Sequence, residues 1–153
     1  MSSFLPPISL IFAQTTNMGR VLAIDYGTKR VGLAVTDPLQ LIANTLTTVE
    51  EKQVIGYLKE YFAKEDVSTI VLGKPSRMDG SETHASQPVE KFLLLLRQTF
   101  PTIPVVQIDE RFTSLIAKRT LVDMGMKKKD RQNKENLDQV SAAIILQTYL
   151  EMK

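Results

Sequence analysis

Three acidic positions stand where predicted strands end or where a predicted helix begins. Asp25 ends the first predicted strand, Asp109 and Glu110 end the last one, and Asp138 lies in the first turn predicted for the final helix. Ligand sites in α/β sheets gather at the carboxyl ends of strands, so these acids converge if the two strands are neighbours. Converging carboxylates stay ionised together only when cations neutralise them. Mg²⁺ prefers such oxygen ligands, and a pair of ions about 3.5–4 Å apart can activate water against a phosphodiester.

Each of these acids also has a structural explanation when it is taken alone. Asp25 could cap the turn that follows its strand. Asp138 could complement the dipole of its helix, since acids are favoured in a first turn. Asp109 and Glu110 could form a solvated strand end that pairs with Arg111. The joint placement of the acids favours a metal site over these separate explanations.

Basic residues cluster near the same predicted edge. Phosphate contacts of this kind bind nucleic acid without reading its sequence. The segment from 127 to 135 carries a net charge of +3 and immediately precedes Asp138. The alternatives are a solvated loop for the segment and a salt bridge to an acid for Arg111. The predicted nucleic-acid contacts are Lys29, Arg30, Lys74, Arg77, Arg111, Lys127, Lys128, Lys129, Arg131 and Lys134.

The composition indicates the class of protein but says little about its function. The 153 residues fit one domain, the net charge is only +2, and cysteine is absent, which excludes a disulfide framework and a thiolate metal site. Residues 1–17 carry no charge, and we interpret them as a disordered tail or a mis-assigned start, with residues 18–153 forming a single domain. The apolar run in the tail is too short for a membrane helix and lacks the basic start of a secretory signal. We therefore expect a cytoplasmic protein.

The apolar patterns predict the order βββαβαβαα, which implies an α/β fold with a five-stranded mixed sheet and helices on both faces. Thr48 and Glu51 form a capping-box pattern that predicts a helix start, and Pro88 fits only near the start of the next helix. Thr113 or Ser114 is expected to cap a helix that ends at Gly125. The predicted strands are 20–26, 30–36, 41–49, 69–73 and 104–108, and the last helix opens at Asn136.

Four segments resemble one family, in its own order and over roughly residue 19 to the end. The segment 25–32 (DYGTKRVG) is similar to the opening motif of the YqgF/RuvX family of Holliday junction resolvase relatives. The segments 73–81 (GKPSRMDGS), 109–114 (DERFTS) and 138–146 (DQVSAAIIL) resemble its central loop, its acid-arginine-hydroxyl motif and its terminal helix. The central loop departs from the family pattern at Lys74 and at Ser76-Arg77, which adds positive charge without touching the acids.

The resemblance implies an RNase H-like fold and a RuvC-like site of three acids. By position, the catalytic and metal-binding residues would be Asp25, Glu110 and Asp138, with Mg²⁺ or Mn²⁺ as the cofactor. Strand alternation puts Glu110 on the face of Ile108, and Asp109 on the other. The implied substrates are structured nucleic acids, either precursor small-subunit ribosomal RNA or branched DNA, and the protein would be a monomer or a homodimer.

Other functional roles are less well supported by the sequence. A non-catalytic RNA-binding or ribosome-assembly factor would use the same basic loops but would have no need of the acids. An actin-like ATPase shares the Asp-x-Gly-Thr pattern, but its fold needs two domains and exceeds this length. Thr113 and Ser114 are expected to cap a helix rather than act as nucleophiles, because no His-Asp partner is evident. His84 is expected to be exposed, and Asp79 to form a turn.

Overall fold

The computed structural model describes residues 18–76, 83–110, 113 and 134–152. The order predicted from the sequence holds through the last strand and for the final helix. The helix predicted from Thr113 to Gly125 lies outside the described residues except for Thr113. The strands are β1 (Arg20–Asp25), β2 (Arg30–Thr36), β3 (Ala43–Glu50), β4 (Val67–Lys74) and β5 (Val105–Asp109), and the helices are α1 (Val54–Lys64), α2 (Ser86–Thr99) and α3 (Lys134–Met152).

The five strands form one mixed sheet in the order β3-β2-β1-β4-β5. β1 to β3 make two antiparallel pairs, whereas β4 and β5 add to β1 in parallel. As a result, one edge of the sheet contains the carboxyl ends of β1, β3, β4 and β5 together with the start of β2. We call this the carboxyl edge; the predicted mixed sheet is confirmed.

Helices cover both faces of the sheet. One face packs against α1 and α2, and its core contains large aliphatic residues and Phe92. The other face packs against α3 through a smaller cluster that includes Ala23, Ala34 and Ala142. Side chains alternate along each strand, so Ala23 and Asp25 lie on the α3 face, whereas Ile24 and Tyr26 lie on the α1 and α2 face.

Helix α3 lies unusually close to β2 at Gly32. A β-carbon at this position would lie 2.0 Å from the backbone oxygen of Asp138. Because backbone atoms cannot move aside as a flexible side-chain end can, only glycine fits there. Asp25 is the partner of Gly32 in the β1–β2 ladder, so this close approach brings the helix backbone beside the end of β1.

Two local predictions are wrong. Thr48 does not open a helix: it lies inside β3 and pairs with Gly32, while a 3₁₀ turn over Glu51–Gln53 precedes α1. Neither this turn nor α1 has a side-chain hydrogen bond at its N-cap. Strand pairing with β2 outweighs the local capping pattern. Asp138 is also not in a first turn, because α3 already includes Lys134.

The remaining boundaries differ by a few residues, as hydrogen bonding to neighbours extends or shifts the strands. β4 runs from Val67 to Lys74 because it pairs along its length with β1 and β5. Pro88 is the third residue of α2, as predicted.

Within the described ranges, none of the helices has both the length and the apolar character required to cross a bilayer.

Candidate active site at the carboxyl edge

Two carboxyl groups from distant parts of the sequence contact each other at the carboxyl edge. Asp25 ends β1 and Glu110 directly follows β5, and protonated Asp25 donates a hydrogen bond to Glu110. Burial, the charge and hydrogen bond of Glu110 and the charge of Asp138 together raise the pKa of Asp25 to about 8. Burial and the nearby Asp109 also raise the pKa of Glu110, although the hydrogen bond from Asp25 lowers it. Without a cation, the pair therefore shares one proton at neutral pH.

Asp138 reaches the same place from α3. Its backbone oxygen lies against Gly32, the ladder partner of Asp25, and its charge contributes to the raised pKa of Asp25. Arg30, the first residue of β2, donates from Nε to Oδ2 of Asp138 at 3.0 Å. The sequence predicted Arg30 as the first residue of a strand and as a contact to phosphate; the structure places it at that strand start, in a salt bridge with one of the three acids.

Glu110 and Asp109 occupy different surroundings. The position of a β-carbon on Gly73 lies 2.8 Å from Oε1 of Glu110 and 2.7 Å from Cδ1 of Ile145, so Glu110 lies on the α3 face. Asp109 instead accepts a hydrogen bond from the Ser76 hydroxyl. Glu110 thus lies on the face of Ile108, as strand alternation predicts.

Thr113 closes the turn that carries Glu110. Its backbone N–H and its hydroxyl both donate to the carbonyl oxygen of Glu110, at 3.0 Å and 2.8 Å. The side chain is buried, with 7% of its surface exposed. The sequence predicted Thr113 as a helix cap; in the structure its hydrogen bonds also fix the backbone of an acid in the site.

Only some of the predicted basic contacts can be located. Lys29 lies exposed in the β1–β2 turn, and Lys74 lies exposed at the end of β4, both at the carboxyl edge. Lys134 is the first residue of α3. His84 is exposed before α2, as expected. The predictions for Arg77, Arg111, Lys127, Lys128, Lys129 and Arg131, and those for Asp79 and Ser114, lie outside the described residues.

The donor chemistry suits a hard divalent cation, because the three half-buried acids supply carboxylate oxygens and two of them are hydrogen-bonded to each other. Among residues 18–76, 83–110, 113 and 134–152, however, no three acidic or histidine side chains already stand at distances that would enclose a metal ion. The physical reason is visible in the contacts. Arg30 holds Asp138, while Asp25 and Glu110 hydrogen-bond each other.

A cavity of about 310 Å³ lies on the opposite side of the sheet from these acids. The Tyr26 ring stacks on Phe92 at 4.3 Å between centroids, and its hydroxyl donates to Glu51 at 3.0 Å. Burial and the Glu51 hydrogen bond raise the pKa of Tyr26 to about 12. Sequence reasoning missed this cavity, although Tyr26 immediately follows Asp25.

Comparison with known proteins identifies relatives of similar length. A protein of Bacteroides thetaiotaomicron named "Putative pre-16S rRNA nuclease" is 51% identical over 136 residues, which cover 89% of this chain and 99% of that protein. A protein of the same name from Flavobacterium psychrophilum is 46% identical over the same shares. The structure of Thermus thermophilus RuvC in complex with a Holliday junction substrate matches with a TM-score of 0.55 at 14% identity, covering 88% of this chain and 96% of that one.

The RuvC match supports the fold alone, since its sequence identity is low. It agrees with the RNase H-like sheet order described above. The profile of the RuvX family, described as Holliday junction resolvase, matches residues 19–152. This match includes the carboxyl edge and all three acids, and the relatives above match over nearly their full length. The chain therefore belongs to the RuvX family.

Proposed function

We propose that this protein is a divalent-metal-dependent nuclease that hydrolyses phosphodiester bonds in structured nucleic acid. One observation carries the proposal: Asp25, Glu110 and Asp138 come from separate elements and converge at one edge of the sheet. The Asp138 backbone lies against Gly32, the ladder partner of Asp25, and the Glu110 carboxylate lies against Gly73. Such a half-buried acidic cluster is costly without a cation. A bound divalent cation would neutralise these charges, and a metal site therefore explains why the three acids lie together.

Asp25, Glu110 and Asp138 would hold Mg²⁺ or Mn²⁺. The bound ion would supply an activated water and stabilise the leaving oxygen. On the protein's side, Asp138 has to leave Arg30, and Asp25 has to lose the proton that it shares with Glu110. Once released, the Arg30 guanidinium is placed to pair with a phosphate, for which its planar fork is well suited.

Exposed cations at the carboxyl edge would position the substrate. Lys29 and Lys74 lie beside the acids with their side chains in solvent. Contacts from lysine to phosphate give affinity without sequence specificity, and they weaken as salt rises. A substrate would therefore be chosen by its shape and by its unpaired segments rather than by a base sequence read at these lysines.

The names of the relatives support precursor 16S ribosomal RNA as the first substrate to test. The family description supports a four-way DNA junction as the second. A symmetric cut of a junction needs two active sites and hence a dimer, whereas trimming of RNA needs one. Either role places the protein in the bacterial cytoplasm.

The test is a cleavage assay with both labelled substrates in Mg²⁺ and in Mn²⁺. We expect Asp25→Asn and Asp138→Asn to lower the cleavage rate about 1000-fold, since a ligated metal contributes several kcal/mol and each 1.36 kcal/mol changes the rate tenfold. Circular dichroism would check that both variants fold. Tight binding without cleavage, unchanged in both variants, would instead favour a non-catalytic RNA-binding factor.

A matched pair of substitutions tests whether Glu110 or Asp109 is the second metal-binding acid. Glu110→Gln removes the carboxylate that contacts Asp25, whereas Asp109→Asn changes the neighbour that accepts from Ser76. Both substitutions remove one charge from adjacent positions. We expect the first to abolish cleavage and the second to retain most of it; the reverse result would transfer the ligand role to Asp109.

A further inference from the structure

The cavity beside Tyr26 is lined by groups of three different kinds. Tyr26 and Phe92 provide stacked aromatic rings, Leu95 adds an apolar wall, and Glu51, Gln87 and Lys91 provide polar atoms at the rim. The volume of about 310 Å³ is at the small end of ligand sites.

These groups have the chemistry needed to contact the base and the phosphate of a nucleotide. Aromatic faces stack on bases of any sequence. A side-chain amide such as that of Gln87 both donates and accepts hydrogen bonds. Glu51 already accepts from the Tyr26 hydroxyl at one oxygen, but a carboxylate has about four acceptor sites and can also receive a base amino group. The exposed ammonium of Lys91 can pair with a phosphate.

The position of the cavity links it to the three acids. Tyr26 directly follows Asp25, so their Cα atoms are about 3.8 Å apart across one peptide. Their side chains point to opposite faces at the point where β1 ends. A strand of nucleic acid that crosses the carboxyl edge would therefore have its backbone near the acids and a neighbouring base within reach of Tyr26.

We propose that this cavity receives an unpaired base of the substrate strand, stacked against the Tyr26 ring that the buried Phe92 ring supports, with Lys91 on an adjacent phosphate. The inference rests on the proposed nuclease function and makes it more specific, because a paired base cannot enter. The site would favour cleavage next to a single-stranded segment, and it would admit RNA or DNA provided that the base is unstacked.

The test uses a short single-stranded RNA that contains one 2-aminopurine, with a DNA version beside it, in EDTA so that no strand is cut. The chain has no tryptophan, so the emission reports the base alone. We expect emission to fall on binding as the base stacks. An abasic nucleotide at that position should weaken binding at least about fivefold, and the same sequence in a duplex should not be quenched.

Helix α2 offers matched variants. Lys91→Ala and Gln87→Ala alter the rim, whereas Arg97→Ala and Leu94→Ala change exposed residues of the same helix that do not line the cavity. We expect Lys91→Ala to reduce the slope of log affinity against log salt by about 0.7, as for one lost contact to a single strand. Gln87→Ala should weaken binding about fivefold, and the two controls should match the unaltered protein.

The outcomes separate this inference from the proposed function. Unchanged emission on binding, or a Lys91→Ala protein that behaves like Arg97→Ala, would overturn the base site even if the unaltered protein cleaves RNA. Quenching that depends on Lys91 and Gln87 in a protein that cuts neither substrate would support the base site and reject the nuclease function.

Discussion

The two faces of the sheet are packed with side chains of different size, and they contribute differently to stability and to the acidic site. Among the residues that the structure describes, the face toward α1 and α2 buries a core of 14 residues without a single alanine, whereas three of the eight residues in the cluster toward α3 are alanines. Large side chains keep α1 and α2 away from the sheet, whereas small ones let α3 approach it closely. The first face supplies most of the apolar burial, and the second places Asp138 beside Asp25. Stability and the site are therefore sensitive to different substitutions.

The largest effect is expected from Gly32→Ala on the α3 face. The new β-carbon would meet the Asp138 backbone oxygen at 2.0 Å, so α3 must move away from β2. We expect a loss of about 3 kcal/mol or more in the free energy of unfolding, above the usual range for overpacking, together with loss of cleavage. Urea denaturation measures the first and the nuclease assay the second.

Gly56→Ala is the matched control for that substitution. Gly56 lies exposed inside α1, and nothing lies within 4 Å of its absent β-carbon. Alanine there should stabilise the protein by about 0.5–1 kcal/mol and leave cleavage unchanged. Equal effects at Gly32 and Gly56 would mean that α3 does not approach the sheet as closely as described.

A substitution in the core toward α1 and α2 should lower the free energy of unfolding without lowering the cleavage rate. Leu58 of α1 is fully buried, and Leu58→Ala should lower the free energy of unfolding by about 2–5 kcal/mol. Because Leu58 packs on the face away from the acids, kcat measured well below the melting temperature should stay the same. A large fall in kcat in the still-folded protein would show that the two faces are coupled.

The metal-free protein should lose stability as pH rises. The pKa of Asp25 is raised from 3.8 to about 8 in the folded state, so between these values the folded chain holds a proton that the unfolded chain has released. By linkage, the free energy of unfolding then falls by up to about 1.4 kcal/mol per pH unit. Glu110 shifts in the same direction.

Urea denaturation in EDTA at pH 5, 6 and 7 measures this slope. Asp25→Asn should flatten it, since the amide does not titrate, and it should be more stable than the unaltered protein at pH 7. A slope that is the same in both proteins would locate the titration elsewhere.

The smallest effect is expected from Gly73→Ala, which acts on one carboxylate. A β-carbon there would lie 2.8 Å from Oε1 of Glu110 and 2.7 Å from the end of Ile145. Both atoms are ends of side chains and can move, so the cost in stability should be small. A displaced Glu110 should lower kcat about tenfold, because small misplacements of reacting groups are costly. An unchanged kcat would argue that Glu110 is not a ligand.

The strand patterns were sufficient to predict the sheet, because they are local features, and the family resemblance singled out three acids that the structure brings to one edge; their role as metal ligands stays a prediction. It could not show that Arg30 pairs with Asp138, since the two residues are 108 positions apart. It also misread Thr48, where a capping pattern was outweighed by pairing with Gly32. Gly32 itself is visible in the sequence, but the helix backbone that requires it is not. The cavity beside Tyr26 was missed for the same reason, as α2 supplies most of its wall.

The dependence of the site on α3 has a consequence for the order of events during synthesis. Asp25 emerges early, but Asp138 lies on the last helix and reaches Asp25 only after that helix docks on β2. Contacts between such distant parts of a chain form late because closing a long loop costs entropy. A nascent or truncated chain that ends before residue 134 therefore carries the sheet and two of the acids without the third. The site would lack its third acid until α3 had been synthesised and had docked on β2.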